Sequence, residues 1–162
     1  MSYQYHSCDK THEGLPDIGA DYPDHYWSVP ADERDQRVEL TEDTCIIDGE
    51  DYFIRGVIHI PVHGHERDFG FGVWVSQKKE NFQTYLDNYD SGEIGPFFGW
   101  LCTRLMCYEE DTSLLKTMTH FRGGGSRPVI EVEPTDHPLA LDQQNGISLK
   151  RAWEIVHLYV DE

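Results

Sequence analysis

The sequence predicts an α+β fold, a single domain with a mainly antiparallel β-sheet and helices packed on one side. Two kinds of pattern carry that prediction. Apolar side chains alternate through residues 52–62 and again through 69–76, the period of a half-buried strand. Elsewhere Phe82, Tyr85, Leu86 and Tyr89, and later Ala152, Ile155, Val156 and Tyr159, recur at intervals of three and four, the period of an amphipathic helix. A chain of 162 residues suits one domain with one sizeable core, and its four Trp, nine Tyr and seven Phe supply area that the aliphatic residues do not.

In chain order, residues 1–30 read as an irregular segment. Gly14, Pro16, Gly19, Pro23 and Pro30 punctuate it, and Tyr22, Tyr26 and Trp27 are expected to be pinned into the domain. Asp32 and Glu33 after Pro30 open one or two helical turns through Arg37. The α+β core is expected over 38–162. Thr44 to Asp48 is a short strand, followed by a turn at 49–51. Along the next strand Tyr52, Ile54, Ile58, Ile60 and Val62 face one way, while Phe53, Arg55, Val57 and His59 face the other. With Phe69 to Ser76, whose Phe69, Phe71, Val73 and Val75 share a face, this run makes a hairpin around the polar turn 63–68. Gln77 to Tyr89 is a helix ended near Gly92. Phe97 to Cys107, Ser113 to Phe121 and Val129 to Glu133 are further strands, and Leu149 to Val160 is a closing helix. Thr135 or Asp136 is placed to cap a helix opened by Pro138.

Thirteen basic against thirty acidic residues give a formal charge of −17. Nucleic acids and anionic membranes are bound through Lys and Arg, so neither is expected as a partner. A basic protein would be attracted, although acidity also serves simple solubility. No run is long and apolar enough for a membrane helix, and Met1 to Lys10 lacks the pattern of an export signal, so the expected location is the cytoplasm. There Cys8, Cys45, Cys102 and Cys107 are expected as reduced thiols. Phosphate-binding loops, nucleophile elbows, zinc-protease helices and dinucleotide-binding starts are all missing, and Gly123-Gly124-Gly125-Ser126 reads as a flexible turn.

Five blocks carry a family resemblance: Thr44-Cys45-Ile46-Ile47-Asp48, Tyr52-Phe53-Ile54-Arg55-Gly56 running on to Ile60-Pro61-Val62, Phe71-Gly72-Val73-Trp74-Val75-Ser76, Phe98-Gly99-Trp100-Leu101, and residues 127–140 from Arg127-Pro128-Val129 to Pro138-Leu139-Ala140, followed by Gly146-Ile147. Together they resemble a bacterial family known as domain of unknown function 2199. The resemblance implies a family and no activity. It also implies an N-terminal Cys-x-x-Cys-Gly-x-x-His knuckle, which Cys8 and His12 match. Tyr5 stands in place of the first Cys and Asp9 in place of the Gly, so the ligand set falls short of the four that a structural zinc takes. No cofactor is expected, with zinc at Cys8 and His12 as the weaker reading.

The candidate site is a polar face of the sheet. Arg55 and His59 share one side of a strand, Trp74 lies opposite Val73 and Val75, and Glu131 and Glu133 project away from Ile130 and Val132. Were these faces to coincide beside Thr135-Asp136-His137, a His flanked by carboxylates would offer acid–base chemistry. Cross-strand ion pairing explains the same residues without chemistry. Candidate catalytic residues are therefore Arg55, His59, Glu131, Glu133 and His137, and candidate ligand- or partner-binding residues are Arg55, Trp74, Trp100 and Asp136. His63, His65, Glu66 and Asp68 contain metal-ligand types, yet turn chemistry accounts for them. The leading functional expectation is a non-enzymatic acidic module that binds a basic protein, one form of which is an immunity-like neutraliser of a basic toxin. The alternative is a small hydrolase or ligand-binding domain on the Arg/His/Glu face.

Overall fold

The computed structural model describes residues 3–4, 11–12, 18–90, 94–124 and 126–160, with side chains from 18 to 159. Tyr3–Gln4 (β1) and Thr11–His12 (β2) form a two-stranded antiparallel ribbon. Ile18–Gly19 (β3) follows, then 3-10 turns at Asp24–Ser28 and Ala31–Glu33 and the short helix Arg34–Arg37 (α1). Val38–Leu40 (β4), Thr44–Ile47 (β5), Asp51–Ile60 (β6) and Phe69–Gln77 (β7) come next, then helix Lys79–Asp87 (α2). Phe97–Trp100 (β8), Lys116–His120 (β9), Val129–Val132 (β10) and helices Pro138–Asn145 (α3) and Leu149–Val160 (α4) complete the chain.

The β6–β7 hairpin is the backbone of the sheet, registered from Tyr52↔Gln77 to Ile60↔Phe69. The strand order is β3-β7-β6-β10-β9-β8, with β5 also on β6 and β4 on β5. The α+β class and the single domain hold, but the sheet is mixed, because β3 pairs with β7 and β10 with β6 in parallel. Parallel pairing needs a long connection, and both partners lie far apart in the chain. The sheet also curls: Val75 bridges Leu101, and the Cys102 N–H donates to the Trp74 carbonyl at 2.8 Å. Close approach of β8 to β7 depends on Gly99, where a Cβ would collide with the Ser76 carbonyl.

Alternation along β6 divides the apolar residues as its sequence predicts. On one face Ile58 and Ile60 join Phe69, Phe71, Val73, Val75, Ile130 and Val132 under α3 and α4, burying Leu139, Ala152, Ile155 and Val156. Ile54, on the same face, packs with Phe82 and Tyr85 of α2. On the other face Phe53 and Trp74 join Cys45, Ile47, Cys102 and Val29. The N-terminal segment therefore completes a second core. Its rings are arranged differently from expectation: Tyr22, Tyr26 and Trp27 pack on one another, Trp27 stays 60% exposed, and the buried side chains described in the segment are Ile18, Pro23 and Val29.

Two element boundaries also differ. The strand predicted over 97–107 stops at Trp100, and β9 starts at Lys116 rather than Ser113. Between them Leu114 takes φ 67° and its N–H donates to the Leu101 carbonyl, while the Thr112 hydroxyl donates to the Thr103 carbonyl and accepts from the Leu105 N–H. Left-handed backbone at a non-glycine residue breaks a strand. The cap of α3 is His137, whose Nδ1 accepts the Leu139 N–H at 3.0 Å, with Thr135 one step back accepting the His137 N–H at 3.2 Å.

Candidate functional site

Strand register puts Arg55, Trp74, His59 and Glu131 on the face away from α3 and α4, as their alternation predicts, and Trp100 joins them there. It does not gather them into one site. Arg55 crosses to its neighbour Trp74, with its guanidinium carbon 5.8 Å from the ring centroid. Its Nη2 donates to Asp21 Oδ1 at 3.1 Å and its Nη1 to the Glu42 carbonyl at 3.2 Å. Glu131 pairs instead with His120, Oε1 to Nε2 at 3.0 Å, and both side chains are about half exposed, 57% and 44%. Glu133 and Asp136 are exposed, and His59 is half-buried. His137 is held by two backbone bonds: Nδ1 accepts from Leu139, so Nε2 carries the proton and donates to the Asp111 carbonyl at 3.1 Å. That tautomer serves the helix cap.

Among the described residues, this face has two concave regions of note. The first is a pocket of about 170 Å³ lined by residues that include His25, Asp51, Phe53, Gln77, Trp100 and Cys102. Strand β6 delivers Asp51 and Phe53 to it, β7 delivers Gln77, the end of β8 delivers Trp100, and the segment just after β8 delivers Cys102. Glu50 and Leu114 stand at the same rim. His25, from the N-terminal segment, lays its ring 5.1 Å from that of Phe53. Trp100 remains 41% exposed and meets the edge of Phe98, itself 42% exposed, at 5.0 Å; Leu114 is 62% exposed. The result is an apolar patch beside two carboxylates.

The electrostatics of this pocket are negative. Burial pushes the Cys102 thiol up to about 12, and the Asp24 and Asp51 carboxylates push the same way against hydrogen bonds from Ser76. A thiol so raised is neutral at physiological pH and a poor nucleophile. Gln77 donates its Nε2 to the Ser76 carbonyl at 2.9 Å, while its Oε1 is a buried acceptor with no partner among the described residues. Acceptors, carboxylates and a tryptophan face suit a cation.

The second region consists of two adjoining pockets, about 270 and 540 Å³, which share Asp21, Arg55 and Arg127. Their walls come from β3, β6 and β7 on one side and the 40–42 turn on the other. Gly19 and Gly72 let β3 lie against β7 here, since a Cβ on Gly72 would stand 3.1 Å from the Gly19 Cα. Arg127 Nε donates to Asp43 Oδ1 at 2.9 Å. These walls are charged where those of the first pocket are aromatic.

Of the residues singled out in the sequence, Arg55 and Trp100 line the two concave regions, and Trp74 packs beneath Arg55. Their other lining residues include His25, Gln77, Asp21 and Arg127, from segments distant in the chain, and Glu50 and Asp51, from the turn into β6. Asp51 at the strand start was the one visible signal, an acidic residue two positions before Phe53 on the same face. His63 and His65 engage the backbone, at Asn145 and Arg67 carbonyls 2.8 and 3.0 Å away. Among the described residues no group of three or more His, Cys, Asp or Glu stands together in a metal-holding arrangement. Cys8 lies outside the described residues, and His12 is described in its backbone only. No helix among the described residues is long and apolar enough to cross a membrane.

Neither a curated protein nor a solved structure matches the chain. A family model described as an uncharacterized protein conserved in bacteria matches residues 4–147, which takes in every strand that shapes the two concave regions, and the chain belongs to that family, domain of unknown function 2199.

Proposed function

We propose that this chain is a non-enzymatic docking module for a basic protein, with the contact centred on the Trp100 pocket. The observation that carries the reading is the exposed Phe98–Trp100 pair set beside Glu50 and Asp51. Tryptophan is enriched among the residues that anchor protein interfaces. The carboxylates select a Lys or Arg side chain, which would stack on the Trp100 ring. A net charge of −17 adds long-range attraction to such a partner. Neutralising a basic toxin is one form this activity would take.

Acid–base catalysis draws less from the geometry. None of the three pockets is lined by His59, Glu131, Glu133 or His137, and the nearest imidazole to Glu131 belongs to an open ion pair with His120. The test is parallel affinity capture from host lysate with the wild-type, Trp100→Ala and Glu50→Gln/Asp51→Asn chains, washed at low and then high salt. A basic protein held by the wild type, weakened by the charge variant and lost from Trp100→Ala is the expected outcome. Recovery of the same proteins by all three chains contradicts it.

A further inference from the structure

The paired pockets around Arg55 and Arg127 stand apart from the Trp100 pocket and call for a different ligand. Both arginines line both pockets, in a chain where acidic residues outnumber basic ones by thirty to thirteen. Arg55 is the more desolvated of the two. Its side chain is only 13% exposed, it lies over Trp74, and its Nε is buried with no hydrogen-bond partner among the described residues. A guanidinium has five N–H donors, and leaving one buried and unmatched is costly. The carboxylate on Arg55 belongs to Asp21, a side chain 80% exposed on the N-terminal segment. An ion pair with so exposed a partner is weak and open to exchange.

Arg127 is fixed in place by Asp43, whose backbone carbonyl accepts the Arg55 backbone N–H at 2.9 Å, while the Arg55 guanidinium donates to the neighbouring Glu42 carbonyl at 3.2 Å. The 41–44 turn that carries Asp43 is tied internally, with Thr41 Oγ1 accepting the Thr44 N–H at 2.9 Å and the Asp43 N–H at 3.2 Å. Among the described residues the terminal nitrogens of Arg127 have no partner, so they remain able to donate. Two guanidinium groups held on one rigid turn form a preorganised fork for an oxygen anion.

We infer that the Arg55–Arg127 groove is a binding site for a small oxyanion, the carboxylate or phosphate of a low-molecular-weight ligand, with Asp21 as an internal carboxylate that the ligand displaces. Small size follows from the charge: a polyanion such as nucleic acid would be repelled by the surrounding surface. This inference is independent of the proposed protein docking, since the two regions share no lining residue.

The experiment is an NMR titration of the arginine Nε–Hε signals, replacing chloride by inorganic phosphate in one arm and by acetate in the other at constant ionic strength. Saturable movement of the Arg55 and Arg127 signals is expected, in the phosphate arm for a phosphate site and in the acetate arm for a carboxylate site. Asp21→Asn removes the internal competitor and tightens binding, by at most about fivefold for so exposed a pair. Arg127→Gln weakens it about tenfold or more, the loss of one charge-assisted contact. Linear, non-saturating shifts in both arms overturn the inference. So does an affinity that neither substitution moves, since a purely structural Arg55–Asp21 pair predicts that result. Arg55→Lys, which keeps the charge and loses the fork, is a second variant should Arg127→Gln perturb the fold; it too must weaken binding.

Discussion

Phe53 and Arg55 lie two residues apart on the same face of β6, yet they belong to regions of opposite character. Phe53 looks into an aromatic pocket rimmed by Glu50 and Asp51, and Arg55 into a groove with Arg127 at its wall. What separates them is Trp74, fully buried, with its indole N–H donating to the Ala20 carbonyl at 3.0 Å. One ring therefore backs the aromatic core with one side and receives the Arg55 guanidinium with the other. The comparison teaches that a single sheet face can offer opposite charge preferences within one strand when a buried aromatic divides it.

The largest expected effect breaks that divider. Trp74→Ala removes a fully buried indole and the tie to the N-terminal segment, and is expected to cost about 3–5 kcal/mol in a urea unfolding titration. A loss below about 1 kcal/mol would show that the segment does not depend on it. Trp100→Ala sharpens the comparison from the other side: stability should move by under about 1 kcal/mol, because the ring is 41% exposed. Binding of the basic partner should fall by about thirtyfold or more, the loss of an interface anchor.

A third test uses pH. Burial pushes the thiols of Cys45 and Cys102 up to about 11 and about 12, and the Tyr159 phenol up to about 12. Ordinary values are about 8.5 for a thiol and about 10 for a phenol. With raised folded-state values, the stability these groups contribute is whole below the unfolded values and is lost as pH climbs through the folded ones. The midpoint of thermal unfolding should therefore decline above about pH 9, and Cys102→Ser should remove only its own share of the slope. The smallest effect belongs to Glu131→Gln. Its pair with His120 is open to water, so stability should change by under about 1 kcal/mol and neither site should respond. Loss of partner or anion binding in that variant would return Glu131 to the functional surface.

The elements and their faces were largely legible in the sequence. Alternation along 52–62 correctly separated Ile54, Ile58 and Ile60 from Phe53, Arg55 and His59, because a strand has only two faces and one of them was clearly apolar. The sites were legible only in part. Trp74 and Arg55 were visible as misfits on their strands, but Asp21 and Ala20 reach them across 34 and 54 residues, and no local pattern encodes a parallel β3–β7 contact. Arg127 follows a glycine run that reads as a turn, and it enters the groove only because β10 pairs with β6 in parallel. The capping role of His137 was missed for a different reason. Thr135 and Asp136 are better general cap formers, and the backbone chose the residue directly before Pro138.

The most direct test of the two-region account is a pair of NMR titrations on one labelled sample, first with a short lysine- and arginine-containing peptide and then with inorganic phosphate. The account predicts that the peptide moves the indole N–H of Trp100, while phosphate moves the Nε–Hε signals of Arg55 and Arg127 and leaves Trp100 in place. Movement of the same signals by both probes, or a Trp100 indole indifferent to the peptide, would contradict it.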